Sequence, residues 1–228
     1  MSRMPLRLVA VDDHPIVVAG LVALLTGPEH DLDLVHTATS WPALEAALVD
    51  LDPPDLALVD LNRSDGTAPE VAVAGLSARG IPVVILTSEM RPVPIRRAIA
   101  AGARGLALKS DPVEDILDVI RTTGAGEQAW SSDLAFALLS DRNLVGELAP
   151  RELEALSLLA EGWPRKSIGR RMDPPVSTTT VITYLNRAVA RYRGLGRAVD
   201  TPGDAVRAAT ADGWIDGPQT PRVLHLED

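Results

Sequence analysis

A chain of 228 residues, 46% hydrophobic and 23% charged with a formal net charge of −9, has room for one large domain or two small ones. Its composition is that of a soluble globular protein, and the absence of cysteine excludes disulfides, thiolate zinc sites and cysteine nucleophiles. The longest apolar run, Ile16 to Leu25, is too short to cross a bilayer, and Asp12 and Asp13 fall where the apolar core of a signal peptide would lie. A cytoplasmic protein with no membrane association is expected.

The first predicted element is a strand, LRLVAV over residues 6–11, apolar enough to be buried on both faces. It runs directly into Asp12 and Asp13. Two adjacent acids repel unless a cation sits between them, although as helix caps they would need none. Four more apolar runs follow at Leu32–His36, Leu56–Val59, Val83–Leu86 and Leu106–Leu108. Between them lie helical stripes, Ile16, Leu21, Leu24 and Leu25 in one, Leu44, Ala47, Leu48 and Leu51 in another. A helix over about 112–122, with Ile116, Leu117 and Ile120 inward, closes the series. Strands alternating with helices predict an α/β domain, a five-stranded, doubly wound parallel sheet over residues 1–124.

The ends of those strands carry the chemistry. The first ends at Asp12 and Asp13, the third at Asp60, the fourth at Thr87 and the fifth at Lys109. Each alone reads as a cap, a strand hydroxyl or a solvated charge. Together they place three carboxylates, a hydroxyl and an ammonium on the edge where such sheets bind ligands.

From residue 125 to 147 the pattern loosens into a linker with one short helix, about Asp133 to Leu139, and Trp130 as a packing anchor. Residues 148–215 predict a small all-α domain. Leu153, Leu156 and Leu159 mark a first helix starting at Pro150, and Ile168 and Met172 a short second one. Ser177 caps a third helix with Val181, Leu185, Val189 and Tyr192 inward. A fourth, about Gly203 to Asp212, has Ala205, Val206 and Ala209 on one side. Residues 216–228 form a tail.

Charge divides with the domains. Residues 1–144 hold 11 Lys/Arg against 20 Asp/Glu, a poor match for nucleic acid, whereas Leu148 to Ile215 holds 10 basic against 7 acidic residues.

The motifs VDDHP, LALVD, ILTS and AGARGLALK resemble the receiver domain of a NarL/FixJ-type two-component response regulator, over about residues 6–124. LAPRELEALSLLAEG, IGRRM and TVITYLNRAV resemble the LuxR-type helix-turn-helix, over about 148–215. The resemblance implies a DNA-binding transcriptional regulator rather than an enzyme. Asp60 would accept a phosphoryl group from a sensor histidine kinase, with Mg²⁺ as cofactor. Asp13 would hold the ion directly and Asp12 through water, joined by Asp60 and the backbone carbonyl of Asn62. Thr87 and Lys109 would bind the phosphoryl oxygens. Phosphorylation would favour a homodimer, formed in part through the apolar side of the last helix, on double-stranded DNA. The third helix would offer Thr179, Thr180, Ile182, Thr183 and Asn186 to bases, with Arg187, Arg191 and Arg193 better placed for phosphates. Such chemistry suits the residues: Mg²⁺ takes hard oxygen ligands, and a cation offsets the charge growing on a transferring phosphoryl group.

Departures from the family pattern accompany the match. Leu106 stands where many receivers carry an aromatic switch residue, and the loop NRSDGTAP lacks a proline the family often places there. Ala149 replaces a capping hydroxyl, at a cost of roughly 1 kcal/mol. The turn Asp173-Pro174-Pro175-Val176 is long, and Ile182 occupies the place of a common DNA-contacting lysine. Two alternatives remain at this level. One is a phosphorylation-independent regulator whose receiver serves as a dimerisation or ligand-responsive module. The other is an aspartate-based phosphohydrolase, disfavoured because Asn62 stands where such enzymes carry a second acid.

Overall fold

The computed structural model describes residues 5–25, 31–140 and 145–215. The expected tail, 216–228, lies outside the described residues, as does the segment 141–144 of the expected linker. The chain folds as two compact units that part after Ser140.

The first unit runs β1 (Leu6–Val11), α1 (Pro15–Leu25), β2 (Leu32–Ala38), α2 (Trp41–Ala47), β3 (Leu56–Val59), α3 (Pro69–Ala78), β4 (Val83–Thr87), α4 (Pro92–Ala100), β5 (Gly105–Leu108), α5 (Val113–Gly124), β6 (Ala129–Trp130) and α6 (Asp133–Ser140). Its strands pair in parallel in the order β2-β1-β3-β4-β5-β6. Strand side chains alternate between two cores, as the pleat requires. Val9, Val11, Val59, Ile85 and Leu106 fill one. Leu8, Ala10, Leu58, Leu86 and Ala107 fill the other. Strands buried on both faces explain why these runs are apolar without a polar alternation.

The expected α/β doubly wound sheet is present, with one strand more than expected. Ala129 and Trp130 pair with Gly105 and Leu106, and Ala135 and Leu138 of α6 enter the first core. The Arg96 Nε donates to the Leu138 carbonyl at 2.9 Å, tying α4 to α6. Residues 129–140, expected in the linker, therefore belong to the sheet unit. A two-residue strand is too short to reveal a period of two, so it left no trace in the pattern. One helical stripe also differs: Leu21 and Leu25 are buried but Ile16 is 83% exposed. Ile16 sits in the first turn of α1, just past the end of β1.

The second unit comprises α7 (Pro150–Ala160), α8 (Arg165–Arg171), α9 (Thr178–Gly194) and α10 (Pro202–Asp212) around Leu156, Ile168, Met172, Val181, Leu185 and Tyr192. Ala205 and Ala209 lie wholly inside this core, with Val206 packed at its margin. The side of the last helix expected to meet a second copy is thus taken up in closing its own four-helix unit. Ala149 caps nothing with its methyl. The Glu152 carboxylate nevertheless accepts the Ala149 N–H at 3.0 Å, half of a capping box. Among the described residues no helix is long and apolar enough to cross a membrane.

Candidate functional site

Register builds the site before any side chain is considered. Val11 pairs with Val59, and the Asp60 N–H donates to the Val11 carbonyl at 3.0 Å, so Asp12 and Asp60 emerge side by side. Thr87 pairs with Leu108, and the Lys109 N–H donates to the Thr87 carbonyl at 2.9 Å. Sequence-distant residues converge because parallel strands end on the same edge.

Lys109 Nζ lies between two carboxylates, 2.6 Å from Asp12 Oδ2 and 2.9 Å from Asp60 Oδ2. The Asp60 side chain is 1% exposed, and its Oδ1 accepts the Asn62 N–H at 3.3 Å. Thr87 is fully buried, its hydroxyl oxygen accepting the Glu89 N–H at 3.0 Å, which leaves the hydroxyl hydrogen to donate elsewhere. Leu106, aliphatic and fully buried, has no polar end that could move with it.

Asp13 is held differently. Its Oδ2 accepts both the Ser64 N–H at 2.7 Å and the Ser64 hydroxyl at 2.6 Å. Its Oδ1 is buried and has no hydrogen-bond partner, since the nearby His14 Nδ1, at 3.0 Å, bonds instead to Asp12 Oδ1. The Ser64 hydroxyl holds the Asp13 carboxyl below the usual carboxylate range, with the Ser64 N–H and His14 assisting against burial.

Ligand atoms of Asp12, Asp13, His14 and Asp60 all lie within 4.8 Å of one another. Three carboxylates, one with an orphaned buried oxygen, match the hard oxygen set a divalent cation such as Mg²⁺ takes. His14 and Ser64 were not among the expected site residues. The first stood in plain view beside two acids, whereas nothing in a polar loop marked the second.

The helical unit presents the other candidate surface. Thr179, Ile182, Thr183, Asn186, Arg187 and Arg191 are exposed along α9, and Thr180 is half-buried. Thr180 and Ser177 share a hydrogen bond at 2.8 Å, and the Thr183 hydroxyl donates to the Thr179 carbonyl at 3.1 Å. The long turn after α8 is braced: Arg151 donates to the Asp173 and Pro174 carbonyls at 2.6 and 2.8 Å, and the Asp173 N–H donates to Glu154 at 2.9 Å.

Not every expected phosphate contact stands ready. Arg191 Nε bonds to the buried Glu152 carboxylate at 2.6 Å, and Arg193 pairs with Asp200 at 2.8 Å. Arg151, Arg197 and Arg207 are ion-paired as well. Among the described residues of this unit, the basic side chains outside ion pairs are Arg165, Lys166, Arg170, Arg171 and Arg187. Four of these lie on the seven residues of α8, which contains no acid, and Arg171 stacks on Trp163 at 3.3 Å from the ring centroid.

No protein-family model matches the chain. Individual proteins do. It is 33% identical over 211 residues to the response regulator RamR of Streptomyces coelicolor, covering 91% of this chain and 97% of that one. Over 192 residues it is 31% identical to the nitrate/nitrite response regulator NarL of Escherichia coli, covering 79% and 87%. Among solved structures, RcsB from Salmonella enterica serovar Typhimurium, bound to a promoter in the presence of BeF3−, matches with a TM-score of 0.64 at 21% identity, covering 90% and 98%.

Proposed function

Starting from the premise that this chain belongs to the NarL-type response regulators, we propose that it is a DNA-binding transcriptional regulator of a two-component system, switched by phosphorylation of Asp60. The sheet unit is the receiver and the helical unit the LuxR-type reader. The observation that carries the reading is the buried Asp60 carboxylate beside the Lys109 ammonium, at the one edge where Asp12 and Asp13 also converge.

In this reading a carboxylate oxygen of Asp60 attacks the phosphorus of a sensor kinase's phosphohistidine. The P–N bond breaks, the imidazole leaves, and an acyl phosphate remains on Asp60. Asp13 Oδ1, Asp60 and the Asn62 carbonyl would hold Mg²⁺, with Asp12 assisting through water. The bound ion would offset negative charge on the transferring group. Lys109 follows that charge onto the phosphoryl oxygens, and the Thr87 hydroxyl donates to one of them. Thr87 acts without an aromatic partner, because Leu106 offers none. Phosphorylation then favours a homodimer on double-stranded DNA. The phosphorylation-independent alternative is weaker, because it gives the Asp60–Lys109 pair no task.

On DNA, Asn186 suits adenine, and Ile182 and the Thr183 methyl suit the thymine methyl, so A·T-containing half-sites are expected. Phosphate contact falls to Arg187 and to the cations of α8 more than to Arg191, whose charge is matched by Glu152.

Intact-mass analysis after incubation with Mg²⁺ and a small phosphodonor tests the reading. One alkali-labile phosphoryl group is expected, absent without Mg²⁺ and absent in Asp60→Asn. Full labelling of Asp60→Asn overturns the assignment.

A further inference from the structure

The loop between β3 and α3 begins beside Asp60 and carries the residue that grips Asp13. Both donors of Ser64, the main-chain N–H and the hydroxyl, converge on the same oxygen, Asp13 Oδ2, at 2.7 and 2.6 Å. A carboxylate held twice by one oxygen cannot swing freely, and its other oxygen is turned to a fixed place. That other oxygen, Oδ1, is the one with no hydrogen-bond partner, within the cluster of ligand atoms from Asp12, His14 and Asp60. No proline could do this at position 64, because it has neither the N–H nor the hydroxyl.

Ser64 is itself held from both sides. The Arg63 guanidinium donates to the Asp60 carbonyl and pairs with Asp65 through Nε at 3.3 Å. The two side chains are 1% and 6% exposed, so the pair is shielded from solvent. Asp65 in turn accepts the Trp41 N–H at 2.7 Å and the Thr67 N–H at 2.9 Å, fastening the loop to the start of α2 and to its own far end. The residue before Ser64 is anchored to Asp60 at the end of β3, the residue after it to the start of α2. Ser64 hangs between two fixed points, aimed at Asp13.

We propose that Ser64 is a positioning residue for the divalent cation of the receiver, presenting Asp13 Oδ1 to the ion, with the Arg63–Asp65 pair keeping Ser64 in place. The inference rests on the reading of this edge as a cation-assisted phosphorylation site. It adds to that reading a residue that touches neither ion nor phosphoryl group. Partners that orient a ligand from behind commonly change metal affinity by about ten- to hundredfold.

The test is equilibrium binding of Mn²⁺, followed by the electron paramagnetic resonance of the free ion, with Mg²⁺ competition, on the full chain without phosphodonor. Ser64→Ala keeps the N–H and loses the hydroxyl, and about tenfold weaker binding is expected. Ser64→Thr, which restores the hydroxyl, should return to near the parent affinity. Asp65→Asn should weaken binding in the same direction through the loop. Ser64→Ala should still unfold in one cooperative transition, because the residue is exposed and loses only its hydroxyl bond to Asp13. Equal or tighter binding by Ser64→Ala, with the parent binding Mn²⁺, overturns the positioning role alone. A parent chain that binds no Mn²⁺ at millimolar concentration overturns the cation site as well. Loss in Ser64→Ala that Ser64→Thr does not restore also contradicts the proposal, because the hydroxyl would not be its cause.

Discussion

The carboxyl edge of the sheet and the α8–α9 surface differ in what their charges face. At the edge, charges from three strand ends face one another, Lys109 touching Asp12 and Asp60, while Asp13 is held by Ser64. On the helical unit the charges divide, some matched internally and others open to solvent. A site that performs chemistry needs its groups buried and oriented before the substrate arrives. A surface that binds a polyanion needs cations that are not already matched. Residue type alone does not separate the two cases, since an arginine such as Arg191 belongs to the first pattern while standing among the second.

Breaking the edge should give the largest effect. Lys109→Met removes the cation shared by Asp12 and Asp60, and the initial rate of labelling by a small phosphodonor should fall about hundredfold or more. A loss below threefold would mean that Lys109 is merely a structural counter-ion.

The helical surface should respond in two distinguishable ways. Arg165→Gln with Lys166→Gln and Arg170→Gln should lower the slope of log K against log salt by about 0.9 for each cation removed, similarly for unrelated duplexes. Arg191→Gln should scarcely change the slope. It should instead cost about 1–3 kcal/mol of unfolding free energy, by leaving the buried Glu152 with one partner fewer. The reverse pattern would place the phosphate contact back on α9.

The smallest effect concerns acid stability. Burial pushes the Asp65 carboxyl up, but the N–H groups of Trp41 and Thr67 and the Arg63 guanidinium outweigh it and hold it below the usual carboxylate range. A depressed folded-state value means stability that is fully present above roughly pH 4 and lost as pH falls through the folded value. Asp65→Asn should therefore lower stability by about 1–2 kcal/mol near neutrality and flatten the acid limb. An unchanged acid limb would show that the Arg63–Asp65 pair contributes nothing net.

The sheet edge was legible in the sequence because topology does the gathering. Once strands alternate with helices, every strand end falls on one edge, and Asp12, Asp13, Asp60, Thr87 and Lys109 must meet. The α9 core positions Val181, Leu185, Val189 and Tyr192 were legible for a similar reason, the helical period. β6 was not, because two residues carry no period. The pairing of Arg191 with Glu152 was not, because 39 residues separate them and no spacing rule links them. Nor was the grip of Ser64 on Asp13, 51 residues away, since a serine in a polar loop looks like any other. The apolar side of α10 was visible, but sequence could not say that Ala205 and Ala209 turn inward to the unit's own core.

In the proposed function, phosphorylation of Asp60 controls what the helical unit does on DNA. The most direct measurement is the affinity of the full chain for a duplex obtained by selection from random sequence, at fixed salt, before and after treatment with Mg²⁺ and a small phosphodonor. Tighter binding is expected in proportion to the labelled fraction, with no gain in Asp60→Asn. Equal affinity of the labelled and unlabelled chains, or the same gain in Asp60→Asn, would contradict it.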